Sequence, residues 1–90
     1  MNNVTRAQLE AQLGNVERLS RRTGIITPND ELVLNTGGSI TGVQVWLIRE
    51  GESGHTRAPF TPSGGIIGMT KGEASRTLEA VAATLEAVQL

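Results

Sequence analysis

The sequence predicts an α+β fold of two layers. A helix, two or three antiparallel strands and a second helix follow one another, and both helices cover one face of the sheet. Residues 4–23 and 70–89 each begin with a capping pattern and continue with apolar residues at helical spacing, which predicts the helices. The region between them is rich in β-branched residues and is divided by glycine-containing turns, which predicts the strands.

The first predicted helix, over residues 4–23, has a defined start and end. Thr5 and Gln8 have the spacing of a capping box, and Gly24 follows the last turn as a left-handed C-cap. Gly14 interrupts the helix at a cost of about 1 kcal/mol relative to alanine. The apolar edge expected to face the sheet consists of Leu9, Leu13, Val16 and either Leu19 or Ser20.

The predicted sheet lies within residues 31–60. Residues 31–35 form the first strand, residues 36–39 a turn and residues 40–50 the second strand. A third, shorter strand is predicted within residues 55–60, and it ends at Pro59 because proline has no backbone N–H to donate. Residues 61–69 are predicted to be a glycine-rich loop, from which Ile66 and Ile67 fold back onto the core.

The second strand is apolar on both of its faces. Successive residues of a strand point to opposite sides, so one face would carry Val43, Val45 and Leu47 and the other Gln44, Trp46 and Ile48. Because neither face is clearly polar, we expect helices on one side of the sheet and a second subunit on the other.

The second predicted helix, over residues 70–89, is the strongest signal in the chain. Thr70 and Glu73 have the spacing of a capping box. An apolar stripe follows at alternating steps of four and three residues: Ala74, Leu78, Val81, Leu85 and Val88. Burial of each large side chain contributes roughly 1.5–3 kcal/mol, so we expect the stripe to stabilise the fold more than any surface ion pair.

The size and composition of the chain favour self-association. Ninety residues form one domain, 1–90, and its single tryptophan and single phenylalanine leave a thin core. We therefore expect a homo-oligomer, with a dimer favoured. The interface is predicted from the apolar sheet face and helix stripe: Val43, Val45, Trp46, Ile48, Leu78, Val81, Leu85 and Val88.

Several classes of function are excluded or disfavoured by composition. The chain has no cysteine, which excludes disulfides, thiolate metal sites and cysteine nucleophiles. It has one histidine, His55, so one chain cannot supply a multi-histidine metal site. No apolar run of membrane-spanning length and no secretory signal is present, and we expect a cytoplasmic protein without a cofactor and without membrane contact.

One candidate ligand site is the glycine-rich loop and the helix start that follows it. Free backbone N–H groups at a helix N-terminus suit a nucleotide phosphate or another anion, although the pattern departs from the phosphate-loop motif G-x-x-x-x-G-K-[ST]. A plain capped junction explains the same residues. The candidate residues are Arg57, Ser63, Gly64, Gly65, Gly68, Thr70 and Lys71.

Catalysis and nucleic-acid binding have weaker support. No set of nucleophile, base and orienting residue is recognisable, so we expect a non-enzymatic protein. A DNA-binding regulator is a second alternative, but acidic residues lie close to most basic ones and the net charge is −1. The basic residues concerned are Arg18, Arg21, Arg22, Arg49, Arg57, Lys71 and Arg76.

Two stretches carry a family resemblance. The run GGSITGVQVWLIREG and the helix start Met69-Thr70-Lys71-Gly72-Glu73-Ala74 resemble those of small uncharacterised proteins of bacteriophages that infect actinobacteria. The resemblance implies an accessory phage protein in the host cytoplasm, which binds a host protein, a nucleic acid or a small host signal molecule. We therefore expect a protein that acts by binding a host protein or by self-assembly.

Overall fold

The computed structural model describes residues 4–35, 42–49, 51–52, 54, 56–58 and 66–88. Its elements, in chain order, are α1 (Arg6–Thr23), β1 (Glu31–Asn35), β2 (Val43–Ile48), β3 (Thr56–Arg57), β4 (Ile66–Gly68) and α2 (Lys71–Val88). The helices pack against each other, α1 also packs on β1, and α2 also packs on β4. The predicted α+β arrangement, with helices packed on an antiparallel sheet, is confirmed.

Strand β2 is the centre of the sheet. Along one side it pairs with β1 in antiparallel register, with Leu32 opposite Leu47. Its other side is shared by two short antiparallel strands: β3 pairs with the end of β2, where Thr56 lies opposite Leu47, and β4 pairs with its start, where Gly68 lies opposite Val43. Among the described strands, β1 therefore has only one strand neighbour.

Both helices begin with the predicted capping boxes. Thr5 N donates to Gln8 Oε1 over 2.8 Å, and Gln8 N donates to Thr5 Oγ1 over 3.2 Å. The same exchange joins Thr70 and Glu73 over 3.1 Å in each direction. Gly24 ends α1 with a φ of 81°, in the left-handed region that favours glycine.

The core lies between the helices and the sheet. It includes the predicted edge of α1, with both Leu19 and Ser20, and the β2 face formed by Val43, Val45 and Leu47. In α2 the stripe is buried at Ala74, Leu78 and Leu85. Its last member, Val88, lies near the end of the helix and has 59% of its surface exposed in the single chain.

The loop prediction for residues 61–69 is wrong for residues 66–68. Ile66–Gly68 form β4, and Ile67 is buried. Glycines on both sides hide this strand in the sequence, because what makes it a strand is its pairing with β2, far away in the chain. The rest of the predicted third strand, beyond Thr56–Arg57, and residues 61–65 lie largely outside the described part of the chain.

The buried hydroxyl of Ser20 allows a test of how the core is packed. Its side chain is fully buried in α1, and its hydroxyl has no hydrogen-bond partner in the described structure. A buried hydroxyl without a partner costs about 1–3 kcal/mol of desolvation, so we expect Ser20→Ala to raise the free energy of unfolding by roughly 1 kcal/mol. Urea denaturation measures the change. A loss of stability would show that the hydroxyl has a partner.

Candidate functional site

The predicted ligand residues are only partly brought together. Gly68, Thr70 and Lys71 lie in sequence at the start of α2, whereas Ser63, Gly64 and Gly65 are outside the described residues. Arg57 lies opposite Trp46 of β2, whereas Gly68 lies opposite Val43. These two positions of β2 are three residues apart, or about 10 Å along the strand. The register thus places the backbone of Arg57 nearer the end of β2 and that of Gly68 at its start.

The helix start itself is occupied by its own cap. The Glu73 carboxylate accepts hydrogen bonds from the backbone N–H of Thr70 over 3.1 Å and from its hydroxyl over 3.3 Å. The amide of Glu73 is taken by Thr70 Oγ1 over 3.1 Å, and that of Ala74 by Thr70 O over 3.0 Å. A negative carboxylate at this point opposes a second anion, so the geometry favours a capped junction over a phosphate site.

Gly68 has a packing role in this junction. A Cβ atom at this position would lie 2.5 Å from the backbone N of Ala74 and 2.8 Å from the backbone C of Glu73. Only glycine lets β4 come this close to the first turn of α2. The residue predicted as a ligand contact thus has a structural explanation.

The predicted interface residues fall into two groups. Four of them are buried within the single chain and have almost no surface to offer a partner: Val43, Val45, Leu78 and Leu85. The other four keep exposed area, with Trp46, Ile48 and Val81 half-buried and Val88 exposed. The first group therefore forms part of the core of the single chain.

The sheet face turned away from the core centres on Trp46. This residue lies opposite Val33 of β1, and its indole Nε1 donates to Gln44 Oε1 over 3.3 Å. Val33, Trp46 and Ile48 are all half-buried. Each of these three apolar side chains therefore keeps part of its surface exposed on this face.

Strand β1 presents a free edge at its far side. Leu32 N donates to Glu17 Oε2 of α1 over 2.8 Å, so the backbone groups of Leu32 point away from β2. Backbone groups alternate sides along a strand, so those of Leu34 point outward as well. Within the described structure, the Leu34 N–H and the carbonyls of Leu32 and Leu34 therefore have no strand to pair with.

An ion pair from α1 contacts the start of this edge. Arg21 Nη1 lies 3.1 Å from Glu17 Oε1, and Arg21 Nη2 donates to the backbone carbonyl of Asp30 over 2.9 Å. The Asp30 carboxylate in turn accepts from the backbone N–H of Thr27 over 2.9 Å, which orders the turn before β1. Together with the Leu32 contact, these bonds tie the last part of α1 to the start of β1.

A groove of about 350 Å³ runs between α1 and the β1 edge. Residues 31–34 line one side, and the α1 side includes Arg6, Glu10, Gly14 and Glu17. A Cβ atom added at Gly14 would meet no heavy atom within 4 Å, so the groove is open at that point. Arg6 pairs with Glu10 over 3.3 Å, whereas the Glu31 side chain is exposed and its carboxylate has no hydrogen-bond or ion-pair partner in the described structure.

Sequence reasoning did not find this groove. In the sequence, Gly14 is only an interruption of the helix, and Arg21 is one of the basic residues of the DNA-binding alternative. The i,i+4 spacing of Glu17 and Arg21 is visible in the sequence and predicts an ion pair. Their contact with β1 depends on how α1 docks on the sheet, which no local pattern encodes.

Other kinds of site have no support among the described residues. No group of three or more of them has the side chains and proximity to hold a metal ion. None of the described helices combines the length and apolarity needed to cross a membrane. His55 lies outside the described residues.

Comparison of the chain with protein-family models, with curated proteins and with solved structures found no match. The resemblance to bacteriophage proteins therefore stays a prediction.

Proposed function

We propose that the protein is a non-enzymatic interaction protein that binds an extended segment of another protein along the free edge of β1. The observation that carries this proposal is the outward-pointing N–H of Leu34 with the carbonyls of Leu32 and Leu34. An added strand satisfies such groups directly, and its main-chain hydrogen bonds supply affinity. If the chain is a phage protein, the partner is a protein of the host.

The groove beside the edge gives the added strand a place to lie. A paired strand runs about 4.8 Å from its neighbour, and its side chains alternate between the two faces of the sheet. On the helix side they would enter the groove, where Leu13 supplies an apolar contact and Gly14 leaves room. On the other side they would extend past Glu31 and Val33.

Charge favours a basic partner. Three of the charged side chains lining the groove are carboxylates, from Glu10, Glu17 and Glu31, against one guanidinium from Arg6. The Glu31 carboxylate has no partner among the described residues and can pair with a lysine or arginine of the added strand. A second copy of the chain would bring another acidic rim, so a basic segment of a different protein fits better than self-association.

The nucleotide or anion alternative has less support than strand addition. The Glu73 carboxylate occupies the position at the start of α2 where an anion would bind. Binding of DNA has no observation in its favour beyond the basic residues of the sequence.

An NMR titration with two synthetic hexapeptides tests the proposal. One probe alternates valine and lysine, and the other alternates valine and glutamate. We expect the first to shift the backbone amides of residues 32–35 and to bind about tenfold more tightly than the second, which corresponds to 1.4 kcal/mol. Inorganic phosphate serves as the probe for the anion alternative and would shift the amides of residues 71–73 instead.

Two substitutions of Gly14 make this titration specific for the groove. Gly14→Trp fills the open space and should abolish the peptide-induced shifts, whereas Gly14→Ala adds one methyl group and should preserve them. The proposal is overturned if neither peptide shifts the Leu34 amide at millimolar concentration. It is equally overturned if Gly14→Trp binds as the unchanged protein does.

A further inference from the structure

The first half of the β1 edge is already covered by side chains. Leu32 donates its N–H to the Glu17 carboxylate over 2.8 Å, and the carbonyl of Asp30 accepts from Arg21 Nη2 over 2.9 Å. These two backbone groups are those that a neighbouring strand would bond, since they belong to residues two apart on the same side. The ion pair, closed over 3.1 Å, thus substitutes for a strand with one acceptor and one donor.

We propose that the Glu17–Arg21 pair is an autoinhibitory contact on this edge, an inference that rests on the proposed function. With the pair in place, an incoming strand finds only the N–H of Leu34 and the carbonyls of Leu32 and Leu34. When the pair swings away, the N–H of Leu32 and the carbonyl of Asp30 are added, and the edge becomes long enough for a full strand. A partner strand binds tightly by displacing the pair.

Two features of the Glu17–Arg21 ion pair favour its displacement. Its side chains are 36% exposed at Arg21 and 20% exposed at Glu17, so both reach solvent. Arg21 Nε is buried and has no hydrogen-bond partner in the described structure, so the closed position leaves part of the guanidinium unsatisfied. A burial penalty of this kind lowers the cost of opening.

The chain supplies a matched control in the same groove. Glu10 also lines the groove and also pairs with an arginine four residues away, Arg6, over 3.3 Å. Within the described structure, however, Glu10 makes no bond to the backbone of β1. Removing either carboxylate subtracts one negative charge from the groove, but only removal of Glu17 uncovers backbone groups of β1.

The test compares Glu17→Ala with Glu10→Ala for binding of the valine–lysine hexapeptide. Charge alone predicts that both variants bind a basic peptide more weakly. Autoinhibition predicts the opposite sign for Glu17→Ala, with about fivefold tighter binding from the hydrogen bonds that become available. The peptide-induced shifts should then be largest at the Leu32 amide. Circular dichroism checks that both variants keep the fold.

Light scattering over a range of protein concentrations gives a second readout that needs no peptide. Both substitutions remove one of the carboxylates that oppose a second copy, but only Glu17→Ala also uncovers the edge, so it should self-associate more than Glu10→Ala and the unchanged protein. If the peptide binds the unchanged protein but Glu17→Ala shows no gain, the proposed function stands and autoinhibition is overturned. If no peptide binds any variant but Glu17→Ala alone self-associates, the proposed function fails and the covering role stands. If no peptide binds and Glu17→Ala does not self-associate, both the proposed function and autoinhibition are overturned.

Discussion

Replacement of Leu78 by alanine should lower the free energy of unfolding by about 2–5 kcal/mol. None of the Leu78 surface is exposed, and the residue lies in the part of α2 that faces the core. The substitution removes buried apolar surface and leaves a cavity that the neighbouring side chains fill only in part. Domains of this size have total stabilities of about 5–15 kcal/mol, so the loss is a large fraction of the whole.

Val88→Ala is the matched control, because it truncates another apolar residue of the same predicted stripe. Because 59% of the Val88 surface is exposed, this substitution should change the free energy of unfolding by no more than about 0.5 kcal/mol. Urea denaturation of both variants, analysed with a common slope, measures the difference. Equal losses at the two positions would mean that the end of α2 is buried against a partner, as the prediction of an oligomer implies.

Gly68→Ala should destabilise the protein by about 1–3 kcal/mol. The added methyl group would lie 2.5 Å from the backbone N of Ala74, a distance at which atoms must move. Backbone atoms of a helix cannot rotate away as a flexible side chain can. Either β4 separates from α2 or its pairing with Val43 of β2 is distorted.

Gly14→Ala is the control with the opposite sign. Gly14 lies within α1, is exposed, and has no heavy atom within 4 Å of the added methyl position. Alanine there should raise the free energy of unfolding by about 0.5–1 kcal/mol, because glycine is the poorer helix former. Thermal or urea denaturation of Gly68→Ala and Gly14→Ala measures both changes in the free energy of unfolding. The packing account of Gly68 fails if both substitutions stabilise the protein.

The sequence was informative where the deciding contacts are local. The capping pairs Thr5–Gln8 and Thr70–Glu73 span three residues each, so their hydrogen bonds follow from spacing alone. Gly24 ends α1 for an equally local reason. The alternation of burial along β2 follows from the period of a strand and agrees with the prediction, and these elements together were enough to predict the fold class.

The sequence was uninformative where a distant element decides. Ile66–Gly68 become a strand only because β2 offers them an edge, and the glycine at the end of β4 is needed because α2 lies against it. The candidate groove depends on the same kind of contact. Glu17 and Arg21 bond the backbone of residues fifteen and nine positions further along the chain, respectively, which no periodicity indicates.

The close approach at Gly68 also bears on how the molecule opens. The backbone of β4 lies directly against the first turn of α2, so neither can separate from the other without breaking the same contacts. We therefore expect β4 and the first turn of α2 to open together in local unfolding. Because β4 and β1 pair with β2 along opposite sides, an added strand at β1 should leave the contact at Gly68 in place.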